Sequence, residues 1–207
     1  MSILFCEEEF AKVKELRIIF EWAQRVLVEK LNIIHEDYKF FKQYDLIEQI
    51  TGRIKTPESI AEKLSRLKLP ITAQSARNHL TDIAGIRVIC PFTHDISALV
   101  DIICAMPENQ GHVRIIRDYV KNPKPSGYRS CHVIVEIPVF HGGVVEKVPV
   151  EIQIRTEAMN LWASLEYKAR YKYKGDIPVH MGDKLTACAK KIDELEAQML
   201  ELHRLVK

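Results

Sequence analysis

Along the chain, apolar and polar positions switch between two periods, and the switches mark out the elements. From about Glu8 to Phe41 there is no proline or glycine, and Phe10, Val13, Leu16, Ile19, Phe20 and Leu27 recur near a helical period. That spacing predicts a long amphipathic helix, with a break expected near Ile34 to Asp37. In "TPESIAEKL", Thr56 can cap a second helix that has Pro57 at its first position. A short helical segment around Ser75 to Leu80 leads into "DIAGIRVICPF", where Ile86, Val88 and Cys90 alternate with Arg87 and Ile89 as in a strand. His94 to Met106 has the pattern of a crossover helix. Val113 to Tyr119, Cys131 to Phe140 and Val148 to Arg155 are three further strands, and "HGG" (His141 to Gly143) turns the second into the third as antiparallel neighbours. Thr156 to Tyr173 predicts a helix. A last one runs from about Val179, with Ile192, Leu195, Met199, Leu202 and Leu205 near heptad spacing. Helices, a mixed sheet, then helices make an α+β fold.

Composition narrows the class without naming a function. In 207 residues, 47% are hydrophobic and 28% charged, enough to build a core, and a net charge of +2 argues against a nucleic-acid coat or a membrane-surface protein. The five cysteines are odd in number and lack C-x-x-C spacing. Cys90, Cys104 and Cys131 lie in apolar runs and read as small hydrophobes, so a reducing cytosol is expected rather than a zinc site or disulfide framework. "MSILFCEEEF" has too short an apolar run for a signal peptide, and no run approaches the roughly 20 residues that span a bilayer. A cytoplasmic protein without a membrane segment is expected.

Four polar clusters sit at the ends of these elements. In "TGRIKTPESIAEK", Arg53, Lys55 and Lys63 surround a helix start. This is an anion site if the free backbone N–H groups face a ligand, and a solvated basic face otherwise. In "DIAGIRV", Asp82 precedes a strand; it is either a turn aspartate or a carboxylate for a hard cation bound together with phosphates. The segment "RDYVKNPKPSGYRSCH" carries Arg117, Lys121, Lys124, Arg129 and His132 with Tyr119 and Tyr128 interleaved. That mixture suits a nucleotide, with cations for phosphates and a phenol ring for a base. The fourth cluster is the polar parity of "VPVEIQIRTEAMNLW", where Glu151, Gln153 and Arg155 alternate with Val150, Ile152 and Ile154, and Asn160 follows on a helix. Two carboxylates and two basic clusters point to phosphoryl chemistry on a triphosphate, which asks a protein mainly for positioning, charge neutralisation and a metal.

The segments "TGRIK…SIAEKL", "DIAGIRVIC", "RDYVKNPKPSGYRSCHVIVEIP" and "VEIQIRTEAMNLWASLEYKARYKY" resemble the synthetase domain of the RelA/SpoT family, in order and spacing, from about Ile47 to Pro178. The length is similar to that of its stand-alone members, the small alarmone synthetases. The resemblance implies a nucleotidyltransferase-like mixed sheet flanked by helices. It divides the chain into an N-terminal helical extension (1–46), a synthetase domain (47–178) and a C-terminal helix (179–207) expected to mediate oligomerisation. It implies Mg²⁺-dependent transfer of pyrophosphate from ATP to the 3′-hydroxyl of GDP or GTP, making the stringent-response alarmones ppGpp or pppGpp. By motif, Arg53 and Arg87 would sandwich adenine, and Lys55, Ser59 and Lys63 would hold the ATP phosphates. Asp82 and Glu151 would bind the metal, with Glu151 also helping to deprotonate the 3′-hydroxyl and His132 beside the acceptor. Arg117 and Lys124 would contact acceptor phosphates, Tyr128 would stack on guanine, and Gln153 and Asn160 would orient the guanosine. A homotetramer is the implied assembly, with (p)ppGpp or RNA as candidate allosteric partners. His94-Asp95 reads as a helix start and not as part of the HD hydrolase domain of longer members. The rival readings are another acceptor (ATP or a tRNA 3′ end) and a nucleotide- or RNA-binding module without catalysis.

Overall fold

The computed structural model describes residues 5–106, 111–173 and 178–206. Among these residues six helices and five strands follow in the order α1 (Glu7–Lys42), β1 (Gln49–Ile54), α2 (Pro57–Arg66), α3 (Ala73–His79), β2 (Ala84–Cys90), α4 (Thr93–Ala105), β3 (Val113–Asp118), β4 (Cys131–His141), β5 (Val144–Thr156), α5 (Glu157–Lys172) and α6 (Val179–Val206).

Helix α1 is continuous over 36 residues. The break expected near Ile34 is absent because Leu31 and Ile34 stay in the buried stripe begun by Val13, Leu16 and Phe20. The helix ends where Gln43 turns left-handed at φ 51°. The predicted cap of α2 is present, with the Thr56 hydroxyl accepting from the Ser59 N–H at 3.3 Å. At the start of α4, the buried Asp95 carboxylate accepts from the Phe92 N–H (3.0 Å) and the Tyr44 hydroxyl (2.8 Å), so "HD" here is a capping device. All five cysteines are free; Cys90 and Cys131 are buried, but Cys104 is exposed despite its apolar neighbours.

The strands form one mixed sheet in the order β1-β2-β5-β4-β3. Only β2 and β5 run parallel; the other pairs, including the expected hairpin β4–β5, are antiparallel. Strand β1 lay beyond the sequence pattern because it is an edge strand, with exposed Thr51, Gly52 and Arg53 between half-buried Ile50 and Ile54. One parity of the sheet (Ile86, Val88, Val133, Val135, Val150, Ile152, Ile154) joins the stripe of α1 and the inner side of α4 in a single apolar core. Gly52 keeps α1 close: a Cβ there would stand 2.8 Å from the Gln24 amide oxygen, whose Nε2 donates to the Gly85 carbonyl at 2.8 Å. The other parity carries Arg53, Arg87, His132, Glu151, Gln153 and Arg155 beside the buried Ile89 and Ile134.

Helices α5 and α6 pack on each other around a second, smaller cluster of Trp162, Ala163 and Leu185, with Tyr128, Ala189 and Ile192 against it. The apolar stripe of α6 therefore divides: Ile192 turns inward, while Leu195, Met199, Leu202 and Leu205 are exposed.

Candidate active site

Strand register sets the site out in two rows across the polar face. In the first, Arg53 pairs with Gly85 and Gly85 with Glu151. In the second, Thr51, Arg87, Gln153, His132 and Arg117 follow one another across all five strands. Residues on one face of neighbouring strands are within mutual reach. Gly85 leaves the first row without a side chain, and over that gap lies a cavity of about 390 Å³ whose lining includes Arg53, Lys55, Asp82, Arg87, Glu151 and Gln153.

At one end of the cavity, Asp82 just before β2 is held by two ammonium groups. Lys55 Nζ donates to Oδ2 at 2.6 Å, and Lys63 Nζ from α2 lies 2.6 Å from Oδ1, so each carboxylate oxygen faces one ammonium. Burial pushes the Asp82 carboxyl up, but the two lysines outweigh it and hold it below the ordinary aspartate value.

On the floor, Glu151 receives one hydrogen bond per oxygen, from His132 Nδ1 to Oε1 (3.2 Å) and from Gln153 Nε2 to Oε2 (3.1 Å). Burial raises its pKa, the Asp82 charge adds a little to that, and the contacts with His132 and Gln153 bring the net direction below the ordinary glutamate value. His132 Nε2 meets the Tyr128 hydroxyl at 2.9 Å. Tyr128 sits edge-on to Tyr119, with the Lys124 ammonium 4.8 Å from the Tyr119 ring centre and 4.7 Å from that of Tyr128.

The structure thus brings together Arg53, Lys55, Asp82, Arg87, Glu151 and Gln153 around one cavity, with Lys63 joined to it through Asp82 and His132, Tyr128 and Lys124 through Glu151. Ser59 stands in the first turn of α2. Arg117 shares the second row through its register with His132, but its exposed guanidinium turns to the Ile116 carbonyl at 2.7 Å. Asn160 lies on α5, and its buried Oδ1 has no hydrogen-bond partner among the described residues.

Two features have no counterpart among the roles predicted from the sequence. Arg155, in phase with Glu151 and Gln153, is only 6% exposed, and its Nη2 donates to the Tyr128 hydroxyl (2.6 Å) and to Gln153 Oε1 (2.8 Å). The shared parity was the signal; what the guanidinium meets across the sheet was not in it. The second feature is the seat of α6 against the 124–130 loop. Thr186 donates to the Ser126 carbonyl at 3.4 Å, Arg129 pairs with Asp193 and Glu196, and the Thr156 hydroxyl donates to Glu196.

A mixed sheet with carboxylates, lysines and arginines converging on one face defines a protein that handles phosphate esters of nucleotides. The chain belongs to the RelA/SpoT family: residues 52–176 match the region found in RelA/SpoT proteins. It is 39% identical to the GTP pyrophosphokinase YwaC of Bacillus subtilis over 90% of this chain and 88% of that protein. Its fold matches small alarmone synthetase 1 of Bacillus subtilis bound to its product pppGpp, with a TM-score of 0.83 and 33% identity, covering 94% of this chain and 97% of the other. The same synthetase bound to AMPCPP matches with a TM-score of 0.76 and 29% identity over 93% and 96% of the two chains.

Proposed function

We propose that this chain is a (p)ppGpp synthetase, moving the pyrophosphoryl group of ATP onto the 3′-hydroxyl of GDP or GTP with release of AMP. The observation that carries this reading is the meeting of two carboxylates, Asp82 just before β2 and Glu151 on the neighbouring β5, at one cavity bordered by Arg53, Lys55 and Arg87. A 3′-hydroxyl is a weak nucleophile and needs a base within hydrogen-bond reach. Glu151, ionised and on the floor, is that base, and His132 stands beside it on the acceptor side. Arg53 and Arg87 come from paired strands one row apart, a spacing that supports their holding adenine between them. Lys55 and Lys63, now on Asp82, supply charge for the ATP phosphates together with Ser59 at the start of α2. Arg117 and Lys124 serve the acceptor's phosphates, Tyr128 its guanine, and Gln153 and Asn160 its orientation.

A divalent metal fits this donor set. Among the described residues no group of three or more His, Cys, Asp and Glu could hold a metal alone, so the protein offers two carboxylates and the phosphates complete the shell, as suits Mg²⁺. When bound, Mg²⁺ would neutralise charge developing on the transferred group.

The test is a labelled-ATP transfer assay with GDP, GTP, ATP and deacylated tRNA as separate acceptors. Label on GDP or GTP, lost in Glu151→Gln, is expected. Label on ATP or tRNA alone would keep the chemistry and overturn the substrate, and nucleotide binding without transfer would leave a binding module.

A further inference from the structure

Five side chains beside the cavity close a ring of hydrogen bonds: Arg155 to Tyr128, Tyr128 to His132, His132 to Glu151, and back through Gln153 to Arg155. The direction of every bond follows from the two ends. A guanidinium can only donate and an ionised carboxylate can only accept. An ionised Glu151 can only accept, so Nδ1 of His132 carries the hydrogen given to Oε1; in the neutral ring Nε2 is then the acceptor and takes the Tyr128 hydrogen, while the Tyr128 oxygen accepts from Arg155. On the other arm, Gln153 must turn its oxygen to Arg155, which points its amide nitrogen at Glu151 Oε2. Both arms start on Arg155 and converge on Glu151.

The placement of Arg155 needs explaining. A buried guanidinium is costly to desolvate unless it is paired. Its contacts are Ser130 Oγ from Nε (3.3 Å), the Tyr128 hydroxyl, the Gln153 oxygen, and the face of the Tyr128 ring 5.1 Å from Cζ; among the described residues no carboxylate lies within ion-pair distance. Ser130 in turn donates to the Ile154 carbonyl at 3.2 Å and is fully buried, so the guanidinium is anchored from behind. A core that needed only stability would fill this space with apolar groups. Here the charge is directed at Glu151 through two relays, one of two residues (Tyr128 and His132) and one of a single residue (Gln153).

We propose that Arg155 is a positioning residue for pyrophosphoryl transfer: it fixes the hydroxyl of Tyr128 and the amide of Gln153 so that His132 and Gln153 aim the Glu151 carboxylate at the acceptor hydroxyl. This rests on Glu151 as the group that takes the 3′-hydroxyl proton. Arg155 is buried and does not line the cavity, and Tyr128 has a second duty through its hydroxyl besides the one its ring serves.

The experiment compares wild type, Arg155→Met, Tyr128→Phe and the double variant in steady-state transfer from ATP to GDP, alongside ¹⁵N NMR of histidine-labelled wild-type protein in mildly alkaline buffer. Each single change is expected to lower kcat about 10- to 100-fold, the usual loss when a group behind a working side chain is removed, with the KM for ATP little changed. The double variant should be no slower than the slower single, because both act along one path. The His132 ring should be neutral with hydrogen on Nδ1. Wild-type kcat in Tyr128→Phe, multiplying losses in the double variant, or hydrogen on Nε2 would each overturn the proposal. If Arg155→Met does not fold, Tyr128→Phe and the NMR spectrum still decide. Should wild type itself transfer nothing to guanosine nucleotides, the functional reading fails while the ring's tautomer still reports the direction of the bonds.

Discussion

Ala189 of α6 lies directly over Gly127 of the loop that carries Tyr128: a Cβ on Gly127 would come within 2.4 Å of the Ala189 Cβ. Gly127 also has φ +92°, a region that a side chain resists. Gly127→Ala is therefore expected to cost about 1–3 kcal/mol and to lift α6 from the loop. Hydrogen exchange should quicken in α6 and at Ser126 to Ser130 while the α1–sheet core stays protected; uniform protection would contradict the close approach.

Glu151→Gln keeps the size of the side chain but removes the base and leaves one oxygen to accept where His132 and Gln153 had two. Transfer should fall by about 10² to 10⁴ with the melting temperature near that of wild type. Near-normal turnover would remove Glu151 from its proposed role.

Gly85 is the gap in the row between Arg53 and Glu151. A Cβ there meets only the Arg53 and Glu151 carbonyl oxygens, at 3.8 and 4.0 Å, which is ordinary contact. Gly85→Val should fold but fill the cavity floor, weakening binding of a non-hydrolysable ATP analogue by more than about tenfold, or 1.4 kcal/mol. Calorimetric titration measures this, and unchanged affinity would place ATP elsewhere.

Glu196 gives stability a pH dependence of definite sign. Burial raises its carboxyl above the ordinary value of 4.5, against the opposing contacts from Thr156 and Arg129. The folded state thus holds this proton more tightly than the unfolded chain. Its contribution is fully present below pH 4.5 and is lost as pH rises from there through the folded value. In melting curves across that window, wild type should lose stability relative to Glu196→Gln as pH rises; a constant difference would count against a buried, protonatable Glu196.

Local pattern made much of this legible. Alternation located β2, β4 and β5 and showed that Glu151, Gln153 and Arg155 share a face, and the helix starts were written in Thr56-Pro57 and Asp95. What it could not carry was pairing. That β2 lies parallel beside β5, setting Gly85 opposite Glu151, depends on a crossover through α4, β3 and β4. Strand β1 was missed because Gly52 and an exposed edge erase the period. Arg155 was visible as an arginine on the polar parity, but its role depends on Tyr128 and Ser130, which reach it only once β4 and the loop before it lie alongside β5. For α6, heptad spacing showed an apolar stripe without showing that Leu185 and Ile192 would settle beside Trp162.

The two parities of β5 tie chemistry to folding in a way that governs which length changes the gene can tolerate. Inserting or deleting one residue between Val148 and Arg155 would turn part of Ile152 and Ile154 out of the core and part of Glu151, Gln153 and Arg155 into it. Catalysis and folding would be lost together, leaving no stable but inactive intermediate form. At Gly142 and Gly143, where a Cβ would meet nothing within 4 Å, added residues would lengthen only the turn. Lineages can thus vary this hairpin at its tip while its arms stay the same length.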